Sequence, residues 1–245
     1  MFSTVRTGLR LAAGTIGAAA LALVLLGSSG FAAGTTPANP GVDPMTTAAV
    51  DAPKPSGTVD MKSLLEPQKL EDRVLGPADA KVTVVEYVSM TCPHCRDFTN
   101  KSFDAIKKKY VDTGKVRYIT RLFPLFSPKD DPRGAAASAL VRCVPANQYY
   151  PMLSVLYEQW DNWALPTAKD PKGTLVRISK LAGLTQDKFN ACLTNQKLVD
   201  DIFAERNKAE KDYGVDATPT FFINGQKYEG FMSADEMSAI LDKLL

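Results

Sequence analysis

One short stretch constrains this chain most. Lys81 to Val88 reads Lys-Val-Thr-Val-Val-Glu-Tyr-Val and leads, through Ser89-Met90-Thr91, into Cys92-Pro93-His94-Cys95. The first part is β-branched and almost continuously apolar, the pattern of a strand covered on both faces. Pro93 has no N–H, so it suits the first turn of a helix, where that N–H would have no partner. The spacing predicts a helix to about Val111 and a second strand over Lys115 to Leu122. The result is a β-α-β unit with Cys92 at the strand-to-helix junction, the end of a parallel strand that favours reactive groups.

A Cys-x-x-Cys at a helix start puts its first sulfur near unsatisfied amide groups and the positive end of the helix dipole, which favours thiolate over thiol. Cys92 is therefore read as nucleophile and leaving sulfur. Cys95, one turn on, is expected to be more buried and to resolve a mixed disulfide. His94 is the only histidine in the chain, and its ring can offer the Cys92 thiolate a hydrogen bond or a positive charge. A zinc site wants four ligands, and Cys143 and Cys192 are isolated, so no metal is expected. A cysteine protease needs its base on a different segment, which the sole histidine cannot supply. A purely structural disulfide within Cys92–Cys95 would close a tight, labile loop.

The N-terminus reads as a targeting segment. Arg6 and Arg10 without an acid, an apolar run from Leu11 to Leu26 and small residues from Gly27 to Ala33 have the order of a secretory signal peptide over residues 1–33, with cleavage expected after Ala32. An uncleaved anchor is the alternative. Residues 34–60, rich in Pro, Ala and Thr, are expected to be a disordered linker. Two of the 29 basic residues lie in the targeting segment, so the rest balances at 27 bases and 27 acids. Bulk charge thus gives no argument for a nucleic-acid partner. Export implies an oxidising compartment where disulfides persist.

Residues 61–245 are read as the folded domain, and a 45% hydrophobic chain of this length can bury a substantial core. Met61 to Leu75 is expected to give a short helix or two. Gly134 to Val144, Gln148 to Trp160, Leu175 to Leu181 and Gln186 to Tyr213 all show helical apolar spacing and form an insertion at about residues 130–212. Trp160 and Trp163 are read as core or groove aromatics. Cys143 and Cys192 fall in these helices and in an oxidising compartment most simply bond each other, a structural bridge rather than a second redox pair. Their 49-residue separation makes such a bridge worth about 4 kcal/mol in the chain-entropy model. Thr220 to Ile223 and Gln226 to Phe231 flank Asn224-Gly225, a two-residue hairpin signal. Ser233 and Glu236 form a capping box that opens a final helix to Leu245.

The segment Val84-Val85-Glu86-Tyr87-Val88-Ser89-Met90-Thr91-Cys92-Pro93-His94-Cys95 resembles the active-site segment of DsbA-like disulfide oxidoreductases, and Ala217-Thr218-Pro219-Thr220-Phe221-Phe222-Ile223-Asn224-Gly225 is similar to a second part of the same family. The likeness spans roughly Val74 to Leu245. It implies an α/β, thioredoxin-like fold with an inserted all-helical subdomain. It implies a cis Pro219 facing Cys92, Thr218 offering backbone groups to a cysteine-containing peptide, and a buried acid, Glu86, that moves protons near Cys95. From the residues alone Pro219 is more readily an ordinary trans proline at a strand start, and Glu86 can equally be a solvent-facing edge carboxylate. The family needs no cofactor beyond its own cysteine pair. The resemblance further implies a protein that oxidises exported polypeptides and is recharged by a membrane quinone-linked, DsbB-like partner; the N-terminal segment makes it periplasmic or secreted, either free or tethered, and a monomer is expected. Thr218 is a departure, since isomerase and reductase relatives share a Thr there. An isomerase or reductase, or a peptide-binding chaperone, is the competing reading.

Overall fold

The computed structural model describes residues 50–245. The expected signal or anchor over residues 1–33, and the expected linker as far as residue 49, lie outside them. Among the described residues no helix is long and apolar enough to cross a membrane.

Six strands form one sheet: β1 (Gly57–Thr58), β2 (Arg73–Leu75), β3 (Val82–Val88), β4 (Val116–Leu122), β5 (Thr220–Ile223) and β6 (Gln226–Glu229), in the order β1-β6-β5-β3-β4-β2. Only β3 and β4 run parallel; the other neighbours are antiparallel. All seven residues of β3 are buried, because the sheet has a hydrophobic cluster on each face. Val84 and Val88 join the larger one, and Val85 and Tyr87 join Ile119, Phe123, Phe222 and Tyr213 in the smaller.

The linker expected to reach residue 60 ends sooner. The Ser56 N–H donates to the Lys227 C=O, Gly57–Thr58 pairs with β6, and the Val59 N–H donates to the Gly225 C=O. The open edge of β6 offers backbone groups that any sequence can pair with, so low hydrophobicity did not keep this stretch out of the sheet. Gly225 sits at φ 87° in the Asn224-Gly225 turn, and a Cβ there would lie 2.6 Å from the Val59 carbonyl oxygen. Both the turn and the close approach require glycine.

Helix α1 (Met61–Leu64) is a single turn capped by Asp60. The rest of the expected Met61 to Leu75 helical stretch supplies β2 instead. Arg121 on β4, 5% exposed, ties this segment down: it forks onto Asp72 with two 2.8 Å bonds and donates to the Leu64 C=O and the Tyr87 hydroxyl.

From Pro93 to Val111 the chain is helical throughout, as α2 (Pro93–Phe98), a π-helical turn (Thr99–Phe103), α3 (Asp104–Ile106) and a second π-helical turn (Lys107–Val111). The insertion between β4 and β5 comprises α4 (Pro132–Cys143), a 3₁₀ turn (Ala146–Gln148), α5 (Tyr149–Glu158), α6 (Trp160–Trp163), α7 (Pro171–Leu181), α8 (Gln186–Leu193) and α9 (Gln196–Tyr213). Its apolar faces, with those of α2 and the closing helix α10 (Ala234–Leu244), build the larger cluster. Ser233 and Glu236 cap α10 reciprocally.

Candidate active site

Strand β3 delivers the chain to the end of the sheet, where Ser89-Met90-Thr91 turn it into α2. The Cys92 N–H closes this turn on the Ser89 C=O at 3.1 Å. Cys92 is the N-cap of α2, with extended backbone (φ −79°, ψ 122°), and Pro93 occupies the first helical position. Cys95, one turn in, is 0% exposed. Cys92 is 4% exposed, so the nucleophile of the sequence reading is itself nearly covered. What covers it is the Thr218 carbonyl, 3.1 Å from Sγ. Pro93 and His94 beside it are exposed. Both sulfurs are free thiols.

The two sulfurs are pushed in opposite directions. A hydrogen bond from the Cys95 thiol is the largest influence on Cys92. Burial opposes it, Thr218 and the backbone N–H groups of Cys95 and His94 reinforce it, and the net result holds Cys92 at about 5. Cys95 is driven well above the ordinary thiol range, first by burial, then by its hydrogen bond to Cys92 and by the negative charges of Cys92 and Glu86. His94 thus meets the Cys92 sulfur through its backbone N–H. Its imidazole is exposed and makes no hydrogen bond among the described residues, because the start of the helix turns the ring outward while its N–H points at the sulfur.

Glu86 lies on the face of β3 that looks into the larger cluster and is 3% exposed. Tyr118 donates to its Oε2 at 2.8 Å and Thr120 donates to the same oxygen at 3.4 Å. Oε1 has no partner. Burial outweighs both hydrogen bonds and raises the carboxyl to about 7.

Across from α2, the Thr218–Pro219 peptide bond is cis. The Pro219 C=O accepts from the Gly230 N–H at 2.8 Å, which fixes this loop against the end of β6. The Thr218 hydroxyl is buried with no hydrogen-bond partner, and it lies close enough to Cys92 to favour the thiolate. The Thr218 carbonyl, by contrast, accepts only from the thiol form and so opposes ionisation. Two large exposed apolar side chains, Phe126 and Phe231, follow β4 and β6 at the same end of the sheet.

Cys92, Cys95, Thr218 and Glu86 therefore share one neighbourhood. Cys143 and Cys192 are bonded to each other and join α4 to α8. The sequence reading gives Trp160 as a core or groove aromatic without a site role and does not single out Tyr157 or Asp131, yet all three touch the site: the Tyr157 hydroxyl donates to the Ser89 C=O, the Trp160 indole N–H donates to the Met90 C=O, and Asp131 accepts from the Thr91 hydroxyl. Nothing in the local pattern marks these residues, which meet the turn only in three dimensions.

Residues 68–243 match the family model described as Thioredoxin. A protein of Rickettsia bellii, provisionally named a protein-disulfide oxidoreductase, is 35% identical over 175 residues, covering 71% of this chain and 64% of that protein. The chain thus spans less than two thirds of that relative's length. Among solved structures, Wolbachia pipientis alpha-DsbA1 is 34% identical with a TM-score of 0.67, over 76% of this chain and 96% of that one. A protein-disulfide isomerase from Novosphingobium aromaticivorans is 25% identical with a TM-score of 0.59, over 71% and 97%. The chain belongs to the thioredoxin family and, within it, to the DsbA-like proteins, with a Cys92–Cys95 pair.

Proposed function

We propose that this oxidoreductase is a dithiol oxidase of exported polypeptides. One observation carries the reading: Cys92 is the N-cap of α2 with Cys95 fully buried one turn in, an arrangement that lowers the Cys92 sulfur to about 5 and pushes Cys95 up. A sulfur so stable as thiolate is a good leaving group, and a pair whose reduced form is stabilised is an oxidising pair.

In the oxidised enzyme a client thiolate attacks Cys92 Sγ. The Cys92–Cys95 bond breaks, Cys95 leaves with the electron pair and takes up a proton, and a client–Cys92 mixed disulfide forms. A second client thiolate then attacks the client sulfur, and Cys92 departs as thiolate. Two electrons have passed from client to enzyme, and the client has gained one disulfide. Glu86 is the group placed to exchange the Cys95 proton, since it is buried nearby and titrates near neutrality. Pro93 starts the helix that presents Cys92, His94 contributes its backbone N–H, and Thr218 with Pro219 forms the wall against which a client backbone lies. Phe126 and Phe231 offer that client apolar contact.

The Cys143–Cys192 bridge supports an oxidising location, periplasmic or secreted, with the N-terminal segment as leader or tether. Recharging by a membrane quinone-linked partner is what the resemblance implies, and the protein is taken to act as a monomer.

The likeness to a protein-disulfide isomerase favours a second reading, in which the reduced pair reshuffles disulfides. Oxidation of a reduced client by the disulfide form, against unscrambling of a mispaired client by the dithiol form, separates the two, and equilibrium with glutathione tests the oxidising character that the first requires. An oxidase is fully reduced by modest reduced glutathione and releases a Cys92 thiolate that absorbs in the ultraviolet at neutral pH. A pair that stays oxidised there, or a Cys92 pKa near the free-cysteine value of about 8.5, rules out the oxidase. Cys92→Ser abolishes the oxidase, whereas a mere peptide-binding chaperone would retain its activity.

A further inference from the structure

Three residues separate the end of β3 from Cys92, and the helical insertion reaches every one. Tyr157 on α5 holds the Ser89 carbonyl at 3.0 Å, Trp160 on α6 holds the Met90 carbonyl at 3.2 Å, and Asp131 accepts the Thr91 hydroxyl at 2.5 Å. Tyr157 and Trp160 are core aromatics that would be buried there in any case. Asp131 is a half-buried carboxylate outside that core. It is the N-cap of α4, where its Oδ1 accepts the Gly134 N–H at 2.8 Å.

The same cap occurs a second time in the insertion. Asp131-Pro132-Arg133-Gly134 and Asp170-Pro171-Lys172-Gly173 share one pattern. Their cap residues adopt nearly the same backbone, φ −131°, ψ 73° and φ −142°, ψ 71°. In each, the glycine N–H meets Oδ1, at 2.8 and 2.9 Å. In each, a Cβ on that glycine would collide with the cap's Oδ2. The two differ in where Oδ2 goes. That of Asp170 faces the exposed Arg177 at 3.5 Å, while that of Asp131 takes the hydroxyl of the residue preceding the reactive sulfur. Capping needs one oxygen, so the second oxygen of Asp131 has a separate use.

We propose that Asp131 is a positioning residue for disulfide exchange: by gripping Thr91 it fixes the turn that aims Cys92 Sγ at the N–H groups of His94 and Cys95, and so couples the start of the helical insertion to the reactivity of the sulfur. The role rests on Cys92 being the exchange nucleophile, as argued above. Hydrogen bonds to sulfur weaken steeply with misalignment, so a turn freed at Thr91 holds the thiolate less well.

The test is the Cys92 pKa, read from ultraviolet thiolate absorbance in the full-length reduced protein and three variants. Asp131→Ser keeps the cap, since Ser caps about as well as Asp, but has no second oxygen for Thr91. Thr91→Val removes the same bond from the other side in a near-isosteric way and carries the test if the first variant fails to fold. Asp170→Ser is the matched control. Expected is a rise of about 0.5–1 pH unit in Asp131→Ser and in Thr91→Val, no further rise when they are combined, and no change in Asp170→Ser. The sign is diagnostic, because deleting a nearby carboxylate by itself lowers a thiol's pKa. The role is overturned if Asp131→Ser and Thr91→Val stay within about 0.2 units of the parent, or if Asp170→Ser rises as much. A parent Cys92 that titrates like a free thiol overturns the oxidase reading itself. A low parent pKa with unresponsive variants overturns only the role of Asp131.

Discussion

Replacing Glu86 by Gln should alter how stability depends on pH, by an amount that follows from the structure. Burial raises this carboxyl from 4.5 to about 7 in the native state. Between those values the native protein holds a proton that the unfolded chain has released, so stability falls as pH rises, by about 1.4 kcal/mol per pH unit. The total loss is about 3 kcal/mol, complete above pH ~7 and absent below pH ~4.5. Gln does not titrate. Its amide N–H₂ would replace Oε1, which has no partner, and the unpaired donor costs about 1–3 kcal/mol at every pH. The variant should therefore be less stable than its parent near pH 4 and equal or more stable near pH 8. The difference between the two should move by about 3 kcal/mol across that range. Urea unfolding at several pH values measures it, in a Cys92→Ser/Cys95→Ser background so that neither sulfur titrates. If the difference is the same at all pH values, to within about 0.5 kcal/mol, Glu86 is not a native-state acid of raised pKa and cannot serve Cys95 near neutrality.

Other substitutions probe other parts of the molecule. Replacing Cys143 and Cys192 together by Ala should lower unfolding stability by about 4 kcal/mol through the 49-residue loop they close, seen as a lower urea midpoint with the Cys92 pKa still depressed. Thr218→Val removes the buried hydroxyl facing Cys92 and should raise the Cys92 pKa by roughly 0.5–1 pH unit; an unchanged titration would mean the hydroxyl does not serve the thiolate. Cys95→Ala removes the largest influence on Cys92 and should raise its pKa, with Cys95→Ser, which restores a donor, lying between parent and Ala. A Cys92 still near 5 in Cys95→Ala would assign its ionisation to the backbone alone.

What could be read from the sequence was what local chemistry specifies. The runs that became β3 and β4 show their burial in composition, Asn224-Gly225 announces its turn, and Ser233 with Glu236 announces α10. Strands β1 and β2 have two and three residues, too few for an alternating pattern, and exist because β6 and β4 present open edges. The stretch from Gln186 to Tyr213 reads as uninterrupted helix because its apolar spacing continues through the break, yet Asn195 caps a new helix there. At the site, the Cys-x-x-Cys spacing reveals the chemistry but not which part of His94 acts, since ring and N–H leave the backbone in different directions. Whether Glu86 faced core or solvent was undecidable from β3 alone. The register with β4, which sets Thr120 opposite Glu86, and the reach of Tyr118 settle it.

The three titrating groups of the site form one system. The Cys92 thiolate is best supported while Cys95 keeps its proton, because that S–H is the strongest support it has. Cys95 keeps its proton because it is buried and because the charges near it, those of Cys92 and Glu86, are both negative. Glu86 in turn stays largely protonated up to near neutrality because it is buried with one oxygen unpartnered. The reduced site therefore carries one negative charge at its rim, with a protonated thiol beneath it and a carboxyl that ionises only at about 7. Pushing titratable groups apart in this way separates leaving group from proton carrier. The same separation makes closing the Cys92–Cys95 bond unfavourable, since closure discards a stabilised thiolate, and under the proposed oxidase role that is the driving force for oxidising another protein's thiols.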